Sequence, residues 1–178
     1  MAPYTIHDVT VTEARAAEQP LLGRLLQLYL HDFSEHAALG SPHGEVEGGG
    51  LFAYPPGLGS YWQEPGRVPL LIRAEGRIAG FVLLNQWSAL DRPLDRAVAE
   101  FFVLRKYRRA RIGTRAAHHA FRSFHGRWEV PVAGYNRDAL LFWRDAVRSL
   151  DAALVTEHAG DGRRWSGTVL CFDSGSAA

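Results

Sequence analysis

The stretch Glu100–Ala116 reads EFFVLRKYRRARIGTRA, and the fold is decided by how it divides. Its first residues belong to a nearly continuous apolar run, Ala97–Leu104, which predicts a strand buried near the centre of a sheet. Its last residues open a helix. Ile112, Ala116, Ala117, Ala120, Phe121 and Phe124 fill one side of a helical wheel, and Arg111, Arg115, His118 and Arg122 fill the other. Between strand and helix lies a basic turn. A helix start presents unpaired backbone N–H groups and the positive end of a dipole, so an anion bound there gains several hydrogen bonds at once. Gly113 permits close backbone approach, and the arginines of Arg105–Arg111 add charge. The turn contains no Gly-Lys-Ser/Thr, so it is not a nucleotide-triphosphate loop. Taken alone it fits either an anion site or a solvated basic helix start.

Upstream, Ile6–Val11 reads as a first strand. Pro20 suits a first helical position, and Leu21, Leu22, Leu25, Leu26, Tyr29, Leu30 and Phe33 follow at helical spacing. Gly40–Gly50, with Pro42 and His43, and Tyr54–Gly59, with Pro55–Pro56, read as loops. The apolar runs Val68–Ala74 and Arg77–Leu84 flank Glu75–Gly76 and predict a β-hairpin. Downstream, Trp128–Ala133 reads as a short strand. Ala139, Phe142, Trp143 and Val147 mark a second amphipathic helix. Leu154–His158 and Trp165–Phe172 form a closing hairpin about Gly160–Gly162, and the tail 174–178 is expected to fray. No repeat, low-complexity segment or linker interrupts 1–178, which predicts a single α/β domain: a mixed sheet with helices on both faces.

Composition narrows the function. With 20 basic against 19 acidic residues the net charge is +1, which argues against a general nucleic-acid or membrane-surface binder. Lys106 is the sole lysine, so local basic character is a matter of arginine clusters. Cys171 is the sole cysteine and fits a buried strand position, which excludes an intrachain disulfide or a cysteine-rich zinc site. The start lacks a signal-peptide pattern, and no apolar stretch reaches the ~20 residues of a membrane helix, so a cytoplasmic location is expected. His118, His119, His31 and His36 lack the paired spacing of a zinc helix, so no metal is expected; no Gly-x-Ser-x-Gly elbow supports serine hydrolysis.

Together with Asn136-Arg-Asp-Ala139-Leu-Leu-Phe142-Trp143, about twenty residues on, the turn resembles the GNAT superfamily of N-acetyltransferases. Val103, Tyr107, Arg108, Ile112 and Gly113 stand where its first motif wants them, and Asn136, Ala139 and Phe142 match its second; the resemblance covers roughly Arg67–Val147. It implies a GNAT fold with a mostly antiparallel sheet of about six or seven strands. It also implies acetyl-CoA as acyl donor and an amine as acceptor. Backbone groups of Phe101, Phe102 and Val103 would pair with the pantetheine arm, with a main-chain N–H near Phe102 or Val103 as oxyanion donor. The amides of Arg109, Ala110, Arg111, Ile112, Gly113 and Thr114, next to Arg108, would cradle the pyrophosphate. Asn136 would contact the cofactor, and Ala139 and Phe142 would pack beside the pantetheine.

Two departures bear on chemistry. Arg111 replaces a motif glycine, where a non-glycine needs a negative φ or accepts a cost. Trp143 stands at the position of a tyrosine that often protonates the leaving thiolate, and an indole N–H cannot act as a practical acid. Glu100 is the candidate base, either directly or through water, with pairing to an arginine as the plainer reading; the apolar Ala97–Ala99 before it allows a burial-raised pKa. His31, Asp32, Tyr54, Tyr61 and Trp62 are candidates to border the acceptor cleft. The expected activity is direct acetyl transfer to a small-molecule or protein amine. The alternatives are a coenzyme A-binding module without turnover, or transfer of a longer acyl chain. Dimerisation through sheet edges or the closing strands is a family habit left open by the sequence.

Overall fold

The computed structural model describes residues 6–39, 44–55, 57–150 and 154–175. Part of the predicted Gly40–Gly50 loop, Pro56 and the end of the tail fall outside them. The chain forms a seven-stranded sheet of β1 (Val9–Glu13), β2 (Val68–Ala74), β3 (Arg77–Asn85), β4 (Arg96–Val103), β5 (Arg127–Ala133), β6 (Val155–Ala159) and β7 (Gly167–Asp173). The spatial order is β1-β2-β3-β4-β5-β7-β6, and every neighbouring pair is antiparallel except β4 and β5. Four helices cover it: α1 (Gln19–Ser34), α2 (Ser60–Gln63), α3 (Ile112–Ser123) and α4 (Arg137–Arg148).

Strand alternation sorts the core into two layers. Val11, Leu70, Ile72, Val82 and Leu84 pack with α3 and α4 on one face. Leu71, Phe81, Leu83 and Phe102 pack with α1 and α2 on the other. Phe121 is fully buried in the first layer, edge-on to Trp128 and Phe172 at 4.9 and 4.8 Å. His118 joins α3 to α4, with Nε2 at 2.8 Å from the Ala146 carbonyl. Cys171 is buried in β7. Among the described residues no helix is long and apolar enough to cross a membrane.

Two local differences from the sequence reading have visible causes. The first strand starts at Val9 rather than Ile6, because the amides of His7 and Asp8 donate to the Glu75 carboxylate at 2.7 and 3.1 Å instead of joining the ladder. The stretch containing Tyr61 and Trp62 includes the single-turn helix α2, held down by the Trp62 indole donating to the Ala14 carbonyl at 2.8 Å.

One irregularity positions the site. β3 and β4 shift register so that Leu83 faces Glu100 while Leu84 faces Val98, which leaves Ala99 as the extra residue of a β-bulge. On its other side β4 pairs with β5 at only Arg96↔Trp128 and Ala97↔Glu129, and beyond Ala97 the two strands diverge. Pairing with β5 therefore stops just before the bulge.

Truncating Phe121 would hollow the layer beneath this gap. Phe121→Ala is expected to lower unfolding free energy by about 3–5 kcal/mol, read from urea denaturation. A loss under about 1 kcal/mol would mean that α3 settles inward to fill the space.

Candidate active site

The gap between β4 and β5 opens into two adjoining cavities. The larger, about 730 Å³, lies between the α3 start, the α4 start and the end of β4. The smaller, about 330 Å³, reaches back over the bulge toward α1. Tyr29, Phe33, Phe101, Tyr135, Asn136 and Trp143 line both.

The larger cavity is lined by Arg108, Arg109, Arg111 and Arg137 together with Asp32, Glu35 and Asp138. Arg109 and Arg111 have left-handed φ of 64° and 57°. Arg111 is the N-cap of α3 and makes no side-chain capping bond, so its side chain does not cover the first amides of the helix. The turn thus keeps the left-handed geometry of a glycine at Arg111, with the strain that the sequence anticipated. Arg108, Arg109, Arg111, Gly113 and Thr114 line the cavity, while Ala110 is exposed outside it and Ile112 is buried beneath it. Gly113 serves a second purpose: a Cβ there would stand 3.1 Å from the Phe142 ring, so its absence lets α3 close on α4.

The arginines divide their work. Arg105 and Arg108 both grip Asp32 of α1, at 2.7 and 2.5 Å, and Arg108 Nε also donates to the Val103 carbonyl at 2.8 Å. Among the described residues Arg109 and Arg111 form no ion pair, which leaves their charge facing the cavity. At the far wall Asn136 caps α4, its Oδ1 accepting from the Ala139 amide at 3.1 Å. Phe101, Phe142 and Trp143 form an aromatic floor, with centroids 4.8–5.5 Å apart.

Along β4 the Leu104 amide donates to the Ala79 carbonyl of β3 at 2.8 Å. Alternation places Phe102 on that same side and turns the N–H groups of Phe101 and Val103 toward the gap. The Phe102 ring itself packs against Tyr29 in the α1 layer, at 5.9 Å between centroids, so its side chain is committed to the core.

Glu100 lines the smaller cavity. Its carboxylate accepts hydrogen bonds from the Tyr29 hydroxyl and, at 3.3 Å, from the Tyr54 hydroxyl. No arginine reaches it among its hydrogen-bond and ion-pair partners. Burial raises its pKa to about 7, against the opposing effect of the two tyrosines. Burial, reinforced by the Glu100 charge, pushes the Tyr29 and Tyr54 hydroxyls far up, so both stay protonated donors.

The other acceptor-side candidates scatter. Tyr54 lines the smaller cavity. Tyr61 is buried beneath it, with the Arg67 guanidinium over its ring at 5.3 Å; Trp62 is pinned to Ala14; and His31 lies beside Phe52 and lines neither cavity. Asp32 lines the larger cavity in its double ion pair. Trp143 is buried with its ring on Phe101. Sequence reading passed over two tyrosines. Tyr29 looked like one more member of the α1 apolar stripe, although a hydroxyl on a buried stripe signals a partner. Tyr135, 57% exposed, stacks with His36 at 5.1 Å and carried no pattern at all.

Comparison with known proteins agrees with this architecture. The family model described as Acetyltransferase (GNAT) family matches residues 24–145. No curated protein matches the chain. Among solved structures, an acetyltransferase from Thermus thermophilus superposes with a TM-score of 0.60 at 14% identity, covering 95% of this chain and 97% of that one. A GNAT-family acetyltransferase from Staphylococcus aureus gives 0.59 at 11%, covering 94% and 100%. The ribosomal-protein-S18-alanine N-acetyltransferase of Escherichia coli gives 0.54 at 12%, covering 96% and 97%. At such identities the likeness is one of fold.

The strained turn and the buried carboxyl can each be tested by stability. A left-handed φ costs a residue with a Cβ roughly 1–2 kcal/mol, while a new glycine loosens the unfolded chain by about 0.4–1 kcal/mol. Arg111→Gly should therefore leave the urea midpoint unchanged or slightly higher, and the β-branched Arg111→Val should lower it. Equal effects would mean that the turn relaxes to negative φ. For Glu100, the folded pKa lies above its ordinary value of 4.5, so the folded state holds the proton more tightly than the unfolded chain. Stability at this site is therefore lost as pH rises from about 4.5 to about 7, and stays lost above. Glu100→Gln should raise Tm at pH 8 and leave it unchanged at pH 4. A pH-independent difference would contradict the burial of this carboxyl.

Proposed function

We propose that this chain, which belongs to the GNAT family of acetyltransferases, moves an acetyl group from acetyl-CoA directly to an amine held in the smaller cavity. The observation that carries the reading is the divergence of β4 from β5 beneath an uncapped helix start, with Glu100 in the gap. The larger cavity suits the donor. Its uncapped amides and the unpaired Arg109 and Arg111 fit a pyrophosphate, and the free edge of β4 fits a pantetheine arm that pairs like a strand. The donor supplies a thioester already activated for attack.

The chain's residues do the rest. Glu100, with a pKa of about 7, accepts the proton that the amine must lose, and Tyr29 and Tyr54 hold its carboxylate in place. The gap-facing Val103 N–H is the donor for the negative charge that develops on the carbonyl oxygen. As the C–N bond forms and the C–S bond breaks, the sulfur needs a proton or leaves as thiolate. Trp143 cannot supply that proton. Tyr135 lines both cavities, and burial followed by the nearby Glu100 charge raises its pKa, which keeps its hydroxyl protonated. Tyr135 is assigned the acid role here.

Free thiol release from acetyl-CoA, followed against a panel of amines, tests the reading. Acceptor-dependent release is expected, with kcat/KM rising through a limb near pH 7. Glu100→Gln should lower kcat/KM by about 100-fold or more and abolish the limb, and Tyr135→Phe should lower kcat about tenfold without weakening coenzyme A binding. Tight acetyl-CoA binding with no acceptor-dependent release would favour a coenzyme-binding module, in keeping with Trp143 at the usual tyrosine position.

A further inference from the structure

The smaller cavity has a composition that selects its occupant. Among the described residues that line it, Glu100 is the only charged one. Seven aromatic residues share the lining with that carboxylate, Tyr29 and Tyr54 bonded to it and Phe33, Phe101, Tyr135 and Trp165 among the rest. The remaining wall is aliphatic, with Leu30 from α1 and Pro131 and Val132 from β5, apart from the Asn136 amide. The arginines that line the larger cavity are absent from this one: Arg108 is tied to Asp32, and Arg109, Arg111 and Arg137 face the larger cavity alone.

Each part of this lining favours or rejects a class of acceptor. One ammonium group is welcomed twice, by the Glu100 carboxylate and by the electron-rich faces of the rings. An apolar or aromatic body gains from displacing water off the rings and the aliphatic wall. A carboxylate on the acceptor meets no cation in this lining and faces the Glu100 charge; the donors within the lining, the Asn136 amide, the tyrosine hydroxyls and the unpartnered Trp165 indole N–H, are all neutral. A second ammonium finds no second acid.

From this lining we infer that the acceptor is a primary monoamine with an apolar or aromatic body and no second charge, and that amino acids and polyamines are excluded. The inference rests on the assignment of the smaller cavity as the acceptor site. It names a chemical class that the fold leaves open, because the same sheet gap can be lined in many ways.

Calorimetry on the protein saturated with coenzyme A, at pH 8 where Glu100 is ionised, tests it without turnover. The probes are 2-phenylethylamine, phenylalanine and spermidine; the first two share a ring and an ammonium and differ by one carboxylate. 2-Phenylethylamine should bind at least about tenfold more tightly than either of the others. Equal or tighter binding of phenylalanine or spermidine, or no measurable binding of 2-phenylethylamine, overturns the inference. Leu30→Arg, which places a cation in the wall away from the reacting groups, should narrow the preference for 2-phenylethylamine over phenylalanine at least about tenfold, while Leu30→Met preserves it. An unchanged ratio in Leu30→Arg overturns the assignment of this wall. The two readings separate cleanly. The expected binding order without thiol release leaves the inference standing and removes the acetyl-transfer reading. Thiol release that is faster with phenylalanine or spermidine does the reverse.

Discussion

The geometry of the candidate site depends on two parallel strands that stop pairing. β4 and β5 share only Arg96↔Trp128 and Ala97↔Glu129 before they part. A parallel pair inside a sheet normally continues, because each unpaired backbone group in a buried place costs about as much as a lost hydrogen bond. Here the bulge at Ala99 bends β4 away, and its free edge faces a cavity rather than packed side chains. The backbone groups so released are the ones that a strand-like ligand and a developing oxyanion require. Stability of the sheet is given up locally for a binding edge, while Phe121, Trp128 and Phe172 keep the layer beneath it close-packed.

Electrostatics then separates the two halves of the gap. The larger cavity holds the uncapped helix start and two arginines without ion pairs; the smaller is mostly apolar around one carboxylate. Trp143 and Phe101 lie on the boundary, and Tyr135 closes it from the β5–α4 connection. A buried carboxylate beside a cationic turn would ordinarily ionise at low pH. Glu100 does not, because burial disfavours its charged form more than the two tyrosine hydrogen bonds favour it, while Arg108 is engaged with Asp32.

Much of this was legible in the sequence, and the reasons differ by element. The runs Val68–Ala74 and Arg77–Asn85 are buried almost throughout, so continuous apolar character predicts them closely. The α3 wheel and the spacing of Ala139, Phe142, Trp143 and Val147 announce their helices through periodicity. The position of Glu100 on β4 and the basic turn before α3 were readable for the same reason. The bulge was not. Ala97, Val98 and Ala99 are small and apolar in any register, so nothing in them signals an extra residue. The start of β1 was misplaced because a side chain 67 residues away takes its amides. Tyr29 and Tyr135 escaped notice because their roles arise from contacts across the fold: Tyr29 meets Glu100 at a separation of 71 residues.

The double ion pair of Asp32 has a mechanical consequence. Arg105 and Arg108 sit in the turn that leads to the larger cavity, while Asp32 sits on the helix that carries Tyr29 and Phe33 into the lining of both. The bond from Arg108 to the Val103 carbonyl fastens the same assembly to β4. Helix, turn and strand are thereby tied into one frame, and the wall the two cavities share is braced by this ion-pair network. Because these ties are surface charges rather than packed side chains, dissolved salt reaches them, so ionic strength tunes the stiffness of the frame without touching the residues that do the chemistry.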